Sequence, residues 1–222
     1  MIIHLFFKYL SVYLSKYCLI HTADCKEKSV RLKKNSLIIQ SALKLFSQKG
    51  FGSASMIDIA KNMGMSVGNI YNYFPSKKKL AVSSIKYVTA KISDDLRYIN
   101  RQPLSPKEKL GLYVQSYIAF TQKHPEMIEF FFRVYLSNRE LFCDEEDCGF
   151  SLARDYIDEV ERLVSFGIES GEYKERDFCV SFALIAGILG AMTFLNGEQA
   201  LSQDLDAYRD EITEAIYRGL SG

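Results

Sequence analysis

The chain has 222 residues, 48% of them hydrophobic, with no Trp, 13 Gly and 4 Pro. That length and balance suit one or two folded domains and exclude a disordered, collagen-like or disulfide-scaffold chain, and so few turn-formers exclude an all-β sandwich or barrel. The formal net charge of +1 hides a segregation: Lys26 to Lys86 holds 12 Lys/Arg and two acids, whereas Tyr87 to Gly222 holds 14 Lys/Arg and 24 Asp/Glu. A basic module that attracts phosphate backbones is followed by an acidic one that they repel.

Met1 to Ile20 is apolar, with His4, Lys8, Ser11 and Ser15 forming one polar stripe at helical spacing. Lys8 near its middle makes it a poor membrane span, and it lacks the basic start and small-residue cleavage site of a signal peptide. Residues 1–29 are therefore expected to be an apolar extension upstream of the true start, near Val30 or Leu32; if the extension is real, it is an interfacial helix and the one route to a membrane.

From Leu37 the apolar positions Ile38, Ala42, Leu45 and Phe46 predict a first helix that Lys49-Gly50 closes. Ser55 is placed to cap a second helix with Met56, Ile59, Ala60 and Met63 inward, ending at Gly64. Ser66 caps a short third helix that Phe74-Pro75 stops, and Ser76 caps a fourth running toward Leu96. The tight Gly64-Met65-Ser66 link between two short helices reads as a helix-turn-helix. A fifth helix through Leu110 to Thr121 reaches His124-Pro125, and a sixth spans Glu126 to Leu136. A loop follows from Asn138 to Gly149, then helices over Phe150 to Ser170, Arg176 to Leu195 and Leu205 to Leu220. The expected fold is all-α: a helix-turn-helix domain over residues 30–80 and a helical regulatory and dimerisation domain over 81–222.

In a helix-turn-helix the second helix enters the major groove, so its outward side chains read bases. With Val67, Ile70 and Phe74 inward, Gly68, Asn69, Asn72 and Tyr73 remain outward. Asn pairs bidentately with adenine, Tyr donates to phosphate, and Gly lets two backbones approach. Ser55 and Lys77 stand at helix starts, where a hydroxyl or ammonium suits a phosphate.

The run from Ile39 to Leu80 resembles the DNA-binding domain of the TetR (tetracycline-repressor) family of bacterial transcription factors. It does so through Ala42, Leu45-Phe46, Gly50-Phe51, Ile59-Ala60, Gly64, Ser66, Gly68, Tyr71, Phe74, Ser76-Lys77 and Leu80. The resemblance implies DNA contacts at Ser55, Ile57, Val67, Gly68, Asn69, Tyr71, Asn72, Tyr73 and Lys77. Met56 and Ile57 stand where the family often has Thr or Arg, which weakens phosphate contact by the second helix. Lys78 and Lys79 replace the usual acid, forfeiting a capping box but adding positive charge. Beyond Ala90 the resemblance fades; it implies there a helical domain that dimerises through its last long helices and holds a small-molecule pocket.

Candidate pocket residues are Tyr113, Tyr117, Phe120, Met127, Phe131, Tyr135 and Phe166, with Arg133 or His124 for a polar head; plain core is the stronger reading of most of these aromatics. The apolar run Phe182 to Leu195 carries Ala183, Ala186, Gly187, Gly190, Ala191 and Phe194, which are expected to meet a second copy in a four-helix bundle with the Phe150 to Ser170 helix. At fourteen residues this run is too short to span a membrane.

Five cysteines, an odd and irregular set, fit a reducing cytoplasm, and Cys143 to Cys148 reads as a solvated acidic loop rather than a metal or redox site. One His beyond residue 21 and no catalytic motif argue against an enzyme, a metal site or a cofactor. The reading is a cytoplasmic, homodimeric, ligand-responsive repressor bound to a double-stranded DNA operator. Its rival is a DNA-binding protein whose acidic domain engages another protein and takes no small-molecule effector.

Overall fold

The structure is a computed structural model, which describes residues 29–130 and 149–222. Every element among the described residues is helical. Helix α1 runs over residues 29–53, three residues past the close expected at Lys49-Gly50, and Gly50 takes the left-handed conformation, φ +75°, within its last turn. Then come α2 (Met56–Asn62), α3 (Val67–Tyr73), α4 (Lys77–Asn100), α5 (Pro106–Lys123) and α6 (Pro125–Phe130). After a 3₁₀ turn at Gly149–Ala153 lies α7 (Arg154–Glu169); α8 covers Phe178–Gly197, and a second 3₁₀ turn at Leu205–Tyr208 leads into α9 (Arg209–Ser221). The proposed sixth helix is described only as far as Phe130, and the extension before residue 29, the acidic loop, Phe131, Arg133 and Tyr135 lie outside the described residues.

Local chemistry accounts for the boundaries. The Ser66 and Ser76 hydroxyls accept from Asn69 N–H and Lys79 N–H, respectively. Ser105 and Glu108 form a reciprocal capping box that, with Pro106 in the first turn, starts α5. Gly171, at φ +76°, follows the end of α7.

Two apolar cores are strung along α4. The first joins Ile38, Leu43 and Phe46 of α1 to Ile59, Ile70, Leu80 and Ile85, and it also takes in Met127, Phe130 and Leu152 from beyond α4. The Phe46 and Phe130 rings stack at 5.7 Å, and the Thr89 hydroxyl donates to the Leu152 carbonyl at 3.2 Å. The head is thus packed directly onto α6 and the turn before α7. The second core gathers Leu96, Leu110, Tyr113, Leu163, Ile185, Leu189, Ile212 and Ile216, while Ile92 touches both cores. At 24 residues, α4 extends about 36 Å and contributes fully buried residues to both cores.

Helix α8 departs from expectation in two ways. It is a 20-residue helix of mean hydropathy 2.2, longer than the fourteen-residue run, and by length and composition alone it could cross a membrane. It also contains a π turn over Ala183–Gly187. The wider i→i+5 repeat retards the rotation of the backbone, so residues before and after it no longer keep α-helical phase. Ala183, Gly187, Ala191 and Phe194 consequently share one exposed face with Val180 and Leu195, whereas Gly190 is buried and Ala186 half-buried against its own chain. Gly190, buried against its own chain, is thus corrected out of the expected intersubunit stripe, and Ala186 lies at its margin.

Candidate nucleic-acid interface

The reading head begins at α2. Ser55 N–H and the Ser55 hydroxyl both donate to the Asp58 carboxylate, at 3.0 and 2.7 Å, and Asp58 N–H returns a bond to the hydroxyl oxygen at 3.1 Å. These bonds, with Lys49 Nζ at 3.3 Å, hold the Asp58 carboxyl below the usual carboxylate range. This capping box was missed in the sequence because an Asp stands where Glu or Gln is the usual signal. It also means the Ser55 proton is already committed, so a phosphate at this helix start meets backbone N–H groups first. Met56, Ile59 and Ala60 anchor α2, leaving Ile57 65% exposed on its outer side.

The turn into α3 depends on Gly64 at φ +62°, which lets Met65 N–H reach the Ala60 carbonyl at 2.9 Å. Helix α3 is held by Ile70, its one fully buried residue, with Val67 half-buried beside it. Gly68, Asn69, Tyr71 and Asn72 project to solvent, and Tyr71 is 48% exposed. A Cβ placed on Gly68 would meet nothing within 4 Å, so the fold itself does not require glycine there.

Two expectations for this surface are corrected. Tyr73 is half-buried and packs on the first core beside Phe74, because a two-turn helix anchored at Ile70 turns its i+3 position inward. Lys77 does not reach outward: its ammonium donates to the carbonyls of Phe51, Ala54 and Gly52 at 2.7, 3.0 and 3.3 Å and lies 4.5 Å from the Phe51 ring centroid. A cation here satisfies carbonyls left open as α1 ends, a demand created only when α4 folds back across that turn. Conversely, Tyr71 was placed outward by resemblance alone, since α-helical spacing from Val67 would have turned it in.

The five pocket candidates among the described residues do not converge. Tyr113 and Tyr117 belong to the second core, while Met127 and Phe120 pack with the first. The Tyr113 hydroxyl donates to that of Tyr156 at 2.8 Å, and burial pushes both phenols well above their ordinary pKa, leaving them neutral. His124 sits at the C-terminal end of α5, its ring 5.3 Å from that of Phe120 and its Nδ1 3.6 Å from Glu126. Phe166 is 37% exposed and lines a separate surface cleft between α4, α5 and α7.

Residues 38–83 match the family model described as bacterial regulatory proteins, tetR family. The chain is 43% identical over 75 residues to the uncharacterized HTH-type transcriptional regulator YuxN of Bacillus subtilis, a match covering 34% of this chain and 26% of that one. It is 24% identical over 187 residues to the fatty acid metabolism regulator protein of Bacillus subtilis, covering 82% of this chain and 93% of that one. Among solved structures it resembles the fatty acid degradation regulator FadR of Bacillus halodurans, with TM-score 0.72, 19% identity and coverage of 83% and 94%. The Bacillus subtilis FadR in complex with stearoyl-CoA is similar at TM-score 0.71, with 22% identity and coverage of 83% and 98%.

Proposed function

We propose that the chain is a TetR-family homodimeric repressor, released from a palindromic operator by a small amphipathic ligand; the match of residues 38–83 to the tetR family model supports the family reading. The observation that carries the reading is α3: a two-turn helix whose exposed face offers Gly68, Asn69, Tyr71 and Asn72 at the head of a basic module. Asn69 and Asn72 supply base-edge donors and acceptors, Gly68 permits close backbone approach, and Tyr71 with the N-terminal turns of α2 and α4 holds phosphates. Val67 and Ile57 border this surface and add apolar contact. Two such heads, set about 34 Å apart by the dimer, fit successive major grooves.

The exposed face of α8 supports self-association, and the packing of Phe130 and Leu152 into the head gives the regulatory helices a direct mechanical route to it. A relative of the same fold is solved with stearoyl-CoA, which supports an acyl-chain amphipath as the effector class to try first. A ligand that prefers a dimer with misaligned heads shifts the equilibrium off DNA by its differential affinity.

Selection of bound sequences from a random duplex pool, at fixed salt, tests the reader. A palindrome is expected, and Asn72→Ala should lose about 1 to 3 kcal/mol of base discrimination. Recovery of unrelated sequences would overturn the operator reading. Adding stearoyl-CoA or oleate to the complex tests the switch by fluorescence anisotropy; if a broad panel of amphipaths leaves operator affinity unchanged, the rival protein-interaction domain takes its place.

A further inference from the structure

We propose that the cleft where the C-terminal end of α4 meets α5 and α7 is an oxyanion-binding site, taking the phosphate or carboxylate group of a small molecule. The cleft has a volume of about 190 Å³, enough for a head group but below the range of pockets that enclose a whole drug-sized ligand.

Its charge is what points to an anion. Lys109 lines it and is 5% exposed, yet no carboxylate among the described residues pairs with its ammonium. That group donates to the Asn100 carbonyl at 2.9 Å and lies 3.9 Å from the Phe166 ring centroid, contacts that leave donors to spare. A buried cation without a counter-ion is costly, and an incoming oxyanion removes the cost. Capping the last carbonyls of α4 offsets part of the Lys109 charge, but it does not account for the neighbours. Arg101 lines the same cleft, is exposed, and has no ion pair among the described residues.

The acids present are already shared. Glu159 is 2% exposed; its Oε1 accepts from Arg97 Nε and Arg162 Nη1, both at 2.9 Å, and its Oε2 from Asn100 Nδ2 at 3.0 Å. Asp94 engages Arg97 Nη1 at 2.8 Å. Four cations therefore line a cleft whose one lining carboxylate is Glu159, with Asp94 and Asp155 acting on Arg97 from beside it, and Glu159 fixes two guanidiniums in place rather than neutralising the cleft. Fixed guanidiniums beside an ammonium suit planar carboxylate and tetrahedral phosphate oxygens alike. The DNA backbone is not the partner, because Arg97 lies twenty residues along α4 from Lys77, about 30 Å from the reading head.

The assignment stands on the cleft alone; joined to the proposed function, it places the polar head of the effector. Full-length protein is titrated calorimetrically, at constant ionic strength, with inorganic phosphate, oleate and stearoyl-CoA. Saturable binding of at least one probe is expected, weakened about fivefold or more by Arg101→Ala and about tenfold or more by Lys109→Met, the scale of a lost charge-assisted hydrogen bond. Operator affinity without ligand stays at the wild-type value in both variants. If Lys109→Met melts early, exposed Arg101→Ala carries the test. Phosphate binding identifies a free ion as sufficient, whereas binding of the amphipaths alone identifies a head group. Absence of saturable binding by all three probes, or variants that bind as wild type does, would overturn the site. If the probes bind here but leave the operator complex intact, the site stands and the release mechanism falls; if both variants bind the probes as wild type does and still release DNA normally, the release mechanism stands and the site falls.

Discussion

Ser55 and Asp58 illustrate how a single cap orders the reading head. The Ser55 hydroxyl both donates to and accepts from Asp58, and its loss leaves the first turn of α2 without that satisfaction. Ser55→Ala is expected to cost about 1 kcal/mol, or about 2 to 4 °C in melting temperature. Asp58 adds a pH dependence whose sign follows from its lowered pKa. Stabilisation by its carboxylate is fully present above the unfolded value, near 3.9, and is lost as pH falls through the lower folded value. Thermal melts of Asp58→Asn against the parent should differ at neutral pH and converge in acid once the pH has fallen below the lowered folded value. Lys77 makes a second case, because its ammonium faces three carbonyls instead of solvent. Lys77→Met should destabilise by about 1 to 3 kcal/mol. The slope of log K against log salt should stay unchanged, where loss of a phosphate contact would reduce it by about one. A reduced slope with unchanged stability would return Lys77 to the phosphate-binding set.

At the level of elements, the link from α7 to α8 depends on a close approach. A Cβ on Gly167 would enter the Tyr173 ring, whose hydroxyl donates to the Pro106 carbonyl at 3.1 Å. Gly167→Ala therefore has to displace that ring from the second core, and a loss of about 1 to 3 kcal/mol is expected in chemical denaturation. A wild-type midpoint would mean that the turn shifts freely. The termini of the regulatory bundle are tied together in the same region: Arg176 donates through both Nη atoms to the Gly219 and Leu220 carbonyls, and Lys107 pairs with Glu214 at 2.9 Å. Such ties make α5, α9 and the strand of chain before α8 move as one body.

For the whole molecule, the exposed apolar face of α8 is the feature a lone chain leaves uncovered. Gly187 is central to it, and a side chain there meets nothing within 4 Å inside the protomer. Gly187→Glu should therefore leave the monomer folded while driving dimer to monomer in light scattering, and operator affinity should fall with it, since two heads no longer bind together. A dimer that survives this change would place the subunit interface elsewhere.

Much of the fold was legible because it is local. Ser55, Ser66 and Ser76 each cap the helix that follows, and Gly50, Gly64 and Gly171 adopt the left-handed conformation that ends or links helices; these signals need no knowledge of distant contacts. The outward positions of α3 followed from the same local logic except at Tyr73 and Tyr71, where a two-turn helix has too short an apolar stripe to fix its own orientation. Tertiary structure decided what depends on side chains far apart in sequence. It divided the aromatic residues of α5 between two cores, and it turned Lys77 onto the end of α1. Through a π turn whose shift of helical phase no residue pattern announced, it selected which small residues of α8 stay exposed. It also brought Arg97, Lys109 and Arg162 into one cleft from three helices. Charge and capping act over a few residues and can be read along the chain, whereas burial, helix phase and the pairing of distant ions exist only once the helices have packed.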